Sequence, residues 1–355
     1  LSQDIFTKTK AMVFPRQVLA GHGVIERTAD VLSNLGIGGS ILIVTGPSTR
    51  AVAAERVNTI LQEAGFKTEI VVSGAATVSN VDIVSRRASR FKPVAIVGVG
   101  GGSKIDIAKM VAAKKGLHFI SIPTSASHDG ISSPRASIKG NGLSHSMEGT
   151  MPLAIIADTE IIAKAPYRML AAGCADVLSN STAVLDWELA VRAGRETMST
   201  TALTLSKYAS AEIEQHASRI RVYDETATWL AVRPIIASGL AIGAAGSSRP
   251  ASGAEHLFSH ALEAAGKGNA LHGEQCGVGA IMIMALHGGD WERLRNTLIT
   301  LGCPVSASEL GLTPGDIVNA LLSARKMRRD RYTILDEKKL DRKSAEKLAR
   351  ETGVI

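Results

Sequence analysis

The segment Gly98-Val-Gly-Gly-Gly-Ser-Lys-Ile-Asp106 restricts what this chain can fold into more than any other stretch. It follows an apolar run at 94–97 and opens a helical pattern formed by Ile105, Ala108, Met110 and Val111. Glycines at a strand-to-helix turn let the backbone approach a phosphate, with the amides of a helix N-terminus facing the anion. The segment therefore points to a nucleotide or another phosphorylated ligand. Its glycines are spaced as G-x-G-G-G, not as the G-x-G-x-x-G of the common dinucleotide fingerprint. A P-loop is excluded as well, because no Gly-Lys-Ser or Gly-Lys-Thr closes the turn. A tight turn closing a strand–helix unit is the ordinary alternative.

The flanking pattern supports a nucleotide-binding layer. Short apolar strands are predicted at 41–46, 67–73, 94–99, 118–123 and 153–157, with helices between them. Such alternation implies a parallel, Rossmann-like sheet covered on both faces. Near Pro166 the character changes. Strand signals stop, and Ala- and Leu-rich helical patterns run over 169–192, 203–221, 226–241, 254–265 and 277–286. The expectation is an α/β domain over 1–165 and an all-α domain over 166–355, which suits a length of 355 residues. Ligands of open α/β sheets sit at the carboxyl ends of the strands, here in a cleft facing the helical domain.

Apolar residues make up 45% of the chain and aromatic residues only 4%, so the core has to be built from Ala, Val, Ile and Leu. The net charge of +7 raises the question of nucleic acid, but basic and acidic residues are interspersed. The densest cluster, Lys326-Met-Arg-Arg-Asp-Arg331, has few aromatics near it to stack bases and reads as a solvated helix end. No nucleic-acid partner is expected, although a general pull on anionic substrates fits the charge. Cys174, Cys276 and Cys303 are odd in number and far apart, which argues against a disulfide framework or a cysteine zinc site. A reducing cytoplasm fits, and Cys174 and Cys276 are read as packing residues. No apolar run is taken to span a membrane, and residues 1–10 lack a secretory apolar segment.

Directly after the fourth predicted strand comes Pro123-Thr-Ser-Ala-Ser-His-Asp-Gly-Ile-Ser-Ser-Pro134. Thr124, Ser125, Ser127, Ser132 and Ser133 supply small hydroxyls, and His128 and Asp129 are its ionisable members. Turn chemistry alone would explain such a loop. Its place beside the glycine-rich turn favours ligand binding. A second constellation, Gly253-Ala-Glu-His-Leu-Phe-Ser-His-Ala-Leu-Glu263 followed by His272-Gly-Glu-Gln-Cys-Gly277, lies in the helical half. His256 and His260 share one helix face. Leu257 stands where an HExxH zinc protease needs Glu, so that reading fails. His272 can fold back onto the same face. Zinc or iron held there needs a further ligand, for which Asp176 in Gly173-Cys-Ala-Asp-Val-Leu-Ser-Asn180 offers a carboxylate. Arg249, just upstream of the histidine helix, is a weaker anion-binding candidate, with a plain capping loop as the alternative.

Together these features resemble the superfamily of polyol and iron-type alcohol dehydrogenases, which also contains glycerol dehydrogenase and 3-dehydroquinate synthase. Within it, the string from Pro123 through Pro134 to Ile138 and the string Gly246-Ser-Ser-Arg-Pro-Ala-Ser-Gly-Ala-Glu-His-Leu-Phe-Ser-His260 are similar to the archaeal sn-glycerol-1-phosphate dehydrogenase family. The closing Arg331-Tyr-Thr-Ile-Leu335 and Glu351-Thr-Gly-Val-Ile355 look typical of it too. The resemblance spans essentially the whole chain. It implies a dehydroquinate synthase-like fold, a homo-oligomer, and reduction of dihydroxyacetone phosphate to sn-glycerol 1-phosphate with NADH or NADPH. That product is the backbone of archaeal membrane lipids.

Carried over residue by residue, the resemblance makes Asp176, His256 and His272 the ligands of Zn2+. Asp129, Asp176 and His260 become substrate contacts, with His260 and Asp129 catalytic. Gly100, Gly101, Gly102, Ser103, Lys104, Ile105 and Asp106, with Thr124, Ser125, Ala126, Ser127 and Ser133, would contact the dinucleotide. Ser103 before Lys104 departs from the usual Gly-Gly-Gly-Lys pattern, which shifts the alignment of the phosphate contacts by as much as one position. The proton donor stays open between His260, His128 and a metal-bound water. A glycerol or alcohol dehydrogenase of the same superfamily, or a dehydroquinate synthase-like lyase, is the alternative activity. No acidic residue ends the 67–73 strand, and Arg50 can pair with a 2′-phosphate, so NADH and NADPH are both expected to serve.

Overall fold

The computed structural model describes residues 11–140 and 143–355, so the expectation for residues 1–10 lies outside the described residues. Six parallel strands form the main sheet. They are β1 (Gln17–Gly21), β2 (Ser40–Thr45), β3 (Lys67–Val72), β4 (Ala95–Gly100), β5 (His118–Pro123) and β8 (Ala154–Asp158), in the order β1-β8-β5-β4-β2-β3. Between β5 and β8 an antiparallel hairpin, β6 (Arg135–Gly140) and β7 (Leu143–Glu148), leaves the sheet.

Alternation along β2 decides which helices cover which face. Ile41 and Ile43 pack with Val31 and Leu32 of α1 (Thr28–Asn34) and with Val57 and Leu61 of α2 (Glu55–Glu63). Leu42 and Val44 point the other way, onto Val81 and Val84 of α3 (Val78–Phe91) and Ile105 and Ala108 of α4 (Gly102–Lys115). The chain leaving β2 thus covers one face, and the chain leaving β4 covers the other. Their carboxyl ends part at a topological switch point, where open α/β sheets bind ligands.

The five predicted strands are present, and two features were not anticipated. Strand β1 lies at the sheet edge and is only half-buried at most positions, so no continuous apolar run marks it. The β6–β7 hairpin is largely polar, with Ala136 and Ile138 its buried apolar positions on β6.

From Tyr167 onward the described residues are helical. The single helix expected over 169–192 is two helices, α5 (Tyr167–Leu178) and α6 (Asn180–Arg192). The break falls at Ser179, whose Oγ donates to the Asp176 carbonyl at 2.6 Å. Thr182 Oγ1 in turn donates to the Ser179 carbonyl at 2.8 Å. Such hydroxyl bonds compete with the helical ladder. Next come α7 (Thr200–Ile220), α8 (Glu225–Ala245), α9 (Ala254–Ala264), α10 (His272–Leu286), α11 (Trp291–Thr300), α12 (Pro314–Ala324) and α13 (Arg342–Glu351). Helix α8, with mean hydropathy 1.4, is long and apolar enough to cross a membrane by length and composition, which revises the expectation that no run is. Its apolar stretch is 78% buried inside the fold. There it packs along α7 and α5 as part of the helical core.

Candidate active site

Glycines set the geometry of the cleft. Helix α4 begins at Gly102, directly after β4. A Cβ at Gly102 would lie 2.0 Å from His128 Nε2, so the imidazole rests on the start of the helix only because no side chain is there. Gly101 faces Ser125, whose Oγ would be 3.1 Å from a Cβ at that position. The Thr124 amide donates to the Gly100 carbonyl at 3.0 Å, which fixes the hydroxyl loop beside the glycine turn. Lys104 lies half-buried across the ends of β2 and β3 and donates to the Gly74 carbonyl; burial lowers its pKa. Thr49 Oγ1 closes the neighbouring turn by accepting from the Gly46 amide at 2.9 Å.

Several candidate cofactor contacts have other partners. Ile105 and Ala126 are buried in apolar clusters, which leaves only their backbones to meet a ligand. Asp106 is buried, with its carboxylate on Lys109 at 3.3 Å and on the Ser137 amide at 3.0 Å. Ser133 is buried and accepts from the Arg135 amide at 3.3 Å. Gly100, Gly101, Ser103, Lys104, Thr124, Ser125 and Ser127 cluster at the carboxyl ends of β4 and β5.

Across this cleft stands a compact donor group. Asp176 on α5, His256 on α9, and His272 and Cys276 on α10 each present a ligand atom, all within 4.8 Å of one another. Asp176 Oδ1 is 3.6 Å from His256 Nε2 and 3.9 Å from His272 Nε2. The second layer orients both rings. His256 Nδ1 lies 2.9 Å from the buried Glu255 carboxylate, a contact that orients the ring with Nε2 toward Asp176. Ser259 Oγ donates to Gln275 Oε1 at 3.0 Å and so accepts from His272 Nδ1 at 3.2 Å, which frees the second Nε2. One carboxylate and two imidazole lone pairs converging at these distances fit a divalent metal ion.

His260, one turn along α9, stays outside the donor group, its ring 6.3 Å from that of His272. Burial and the nearby His256, Arg331 and Arg328 charges lower its pKa to about 4. Asp129 is tied down twice: its amide donates to Asp176 Oδ2 at 3.1 Å, and its carboxylate accepts from Ser238 Oγ at 2.8 Å. Asn180 Nδ2 holds Ser238 at 2.9 Å. Burial and the Asp176 charge raise the Asp129 carboxyl to about 6. A cavity of about 450 Å3 joins these groups. Ser103, His128, Asp129, Asp176, His256, His260 and His272 all line it.

Sequence reasoning missed three participants. Cys276, read as a packing residue, is buried and places Sγ 3.6 Å from His272 Nε2; the spacing of four from His272 was the available signal. Glu255 and Ser259 are sequence neighbours of the histidines, but only the fold shows them as orienters. Arg249 is 3% exposed and donates to both Glu196 oxygens, at 2.8 and 2.7 Å, so it faces that carboxylate and not the cavity.

Known proteins match this arrangement at two levels. A model of the iron-containing alcohol dehydrogenase family matches residues 19–166. The fold superposes on a probable glycerol dehydrogenase from Sinorhizobium meliloti with a TM-score of 0.81 at 20% identity, covering 97% of this chain and 98% of that one. The fold is thus the dehydroquinate synthase-like one of solved glycerol and alcohol dehydrogenases. Among curated relatives, the glycerol-1-phosphate dehydrogenase (NAD(P)+) of Methanosarcina acetivorans is 49% identical over 98% of this chain and 97% of its own. That of Thermoplasma volcanium is 45% identical over 99% of each. The chain belongs to the glycerol-1-phosphate dehydrogenase family.

Proposed function

We propose that this protein is an NAD(P)-dependent, zinc-dependent oxidoreductase that reduces dihydroxyacetone phosphate to sn-glycerol 1-phosphate. The product would serve as a lipid backbone, and the enzyme would work in the cytoplasm as a homo-oligomer. The observation that carries the reading is the convergence of Asp176, His256 and His272 opposite the glycine turn, in a chain 49% identical to named glycerol-1-phosphate dehydrogenases. In this reading residues 1–165 form the dinucleotide-binding domain and 166–355 the metal and substrate domain.

Asp176, His256 and His272 would hold the ion, a carboxylate and two imidazoles being a donor set that zinc accepts. When bound, the metal supplies a Lewis acid for the carbonyl and the nicotinamide supplies hydride. The residues do the rest. Turn 100–104 and hydroxyls 124–127 receive the dinucleotide phosphates at the start of α4. His260 stays neutral near physiological pH and offers the substrate an uncharged imidazole. Asp129, with its carboxyl near 6, can exchange a proton in the working range, and Ser238 fixes its orientation. Arg50 pairs with the exposed Glu55 at 3.1 Å, a pairing weak enough for a 2′-phosphate to replace.

Steady-state assays with dihydroxyacetone phosphate and dihydroxyacetone, each with NADH and NADPH, test the reading. Equal efficiency on both trioses would remove the phosphate requirement. Turnover without net oxidation of added cofactor would favour a dehydroquinate synthase-like lyase. An NADPH efficiency below about one hundredth of that with NADH would remove dual use.

A further inference from the structure

The cavity that holds the donor group is also lined by two arginines, Arg135 on β6 and Arg328 beyond α12. Arg135 is anchored in advance: its Nη2 donates to the Ser146 carbonyl on β7 at 2.8 Å, and the buried Lys109 holds its own carbonyl. Arg328 has a surface partner, Asp330, at 2.8 Å, but that carboxylate's side chain is 71% exposed. Pairs of that kind exchange readily. Behind them Arg331, 5% exposed, donates to Ser248 Oγ at 2.8 Å and to the Ser252 carbonyl. It thereby braces a loop whose Ser248 and Ser252 line the same cavity.

We infer that Arg135 and Arg328 form the subsite that receives the phosphate group of the substrate, an inference that rests on the triose phosphate reading above. Two like charges facing one cavity repel each other, and burial followed by the Arg328 charge lowers the pKa of Arg135. A dianion between them removes that penalty and meets planar donors suited to bidentate contact. Glu263 lines the cavity too; burial raises its carboxyl and the Lys139 charge opposes it, so this wall is not acidic on balance. The glycine turn and Lys104 belong to β4 and α4, whereas Arg328 comes from the helical region beside His260. This separation sets Arg328 apart from the cofactor phosphates, and Arg135, on β6, lines the same cavity.

The test uses full-length wild type, Arg328→Ala, Arg328→Lys and Arg135→Met. It compares kcat/KM for dihydroxyacetone phosphate and dihydroxyacetone, inhibition by inorganic phosphate, and NADH affinity by fluorescence. In each neutral variant, loss of a charged contact should cut efficiency on the phosphorylated triose about tenfold to a hundredfold, mainly through KM. Efficiency on dihydroxyacetone and NADH affinity should stay unchanged, phosphate inhibition should weaken, and Arg328→Lys should recover part of the loss. A wild type indifferent to the phosphate group overturns the functional reading itself. A discriminating wild type whose variants keep the same substrate ratio overturns the arginine subsite alone. Variants that lose NADH affinity place the arginines on the cofactor and overturn it equally.

Discussion

The backbone amide of Asp129 donates to the carboxylate of Asp176 at 3.1 Å and so fastens the loop after β5 to helix α5. Three residues before Asp176, Gly173 makes the same two elements touch: a Cβ there would lie 2.0 Å from the Ala126 carbonyl oxygen. The spacing between the hydroxyl loop and the donor group is therefore set by backbone contact, which has little room to give.

Gly173→Ala should push the loop off the helix. We expect a loss of stability of about 2 kcal/mol, in the range of overpacked cores, with a larger proportional loss of activity. Urea unfolding and kcat on the same preparation check this. A variant with wild-type stability and turnover would show that the contact is soft.

Removal of Asp176, His256 or His272 by alanine substitution should abolish bound zinc and turnover together, because too few ligands remain. His260→Ala should retain metal and lose most of its turnover. Glu255→Gln should bind metal about 10- to 100-fold more weakly without removing a ligand. Elemental analysis, with activity before and after chelation, reads all five; a His272→Ala protein with full zinc content would refute the donor set.

His260 should make the metal-free protein acid-sensitive. Its pKa is about 4 in the fold against an ordinary 6.5. Between those values the unfolded chain holds a proton that the native state does not, so stability falls as pH drops through that window. The contribution, full above 6.5, amounts to about 3 kcal/mol by linkage. His260→Gln should flatten the pH dependence of urea unfolding between pH 6.5 and 4. An unchanged slope would mean that the imidazole is solvated.

Lys109 is fully buried, with its ammonium on Asp106 at 3.3 Å, on the Gly130 carbonyl at 2.7 Å and on the Arg135 carbonyl. Lys109→Met leaves the Asp106 carboxylate and two carbonyls without their shared donor. The expected cost is about 3–5 kcal/mol, as for a broken buried ion pair. Thermal unfolding of the variant measures it, and a change in midpoint within error would contradict the assigned contacts.

Legibility in the sequence followed burial. Strands β2, β4, β5 and β8 are almost wholly buried and announce themselves as apolar runs, while the edge strand β1 and the polar β6–β7 hairpin do not. His256 and His260 stood out because helical spacing places residues four apart on one face, although only His256 of the two joins His272 in the donor group. The basic stretch at 326–331 misled for the opposite reason. Arg329 and Asp330 are exposed there, Arg331 is buried and Arg328 turns to the cavity, and nothing in the string distinguishes them. The break at Ser179 was hidden because a serine inside an Ala- and Leu-rich helix is ordinary, and the hydroxyl bonds of Ser179 and Thr182 that accompany it do not show in the string.

Strand β1 has one neighbour, β8, with Gln17 opposite Ala154 and Gly21 opposite Asp158. On a ribosome the opening strand therefore emerges long before the segment that completes it, and it waits through the synthesis of every other strand. Loop-closure entropy at that sequence distance makes this pairing a late step in folding. Truncated chains ending before residue 154 cannot seat their own N-terminus, however well β2 to β5 assemble.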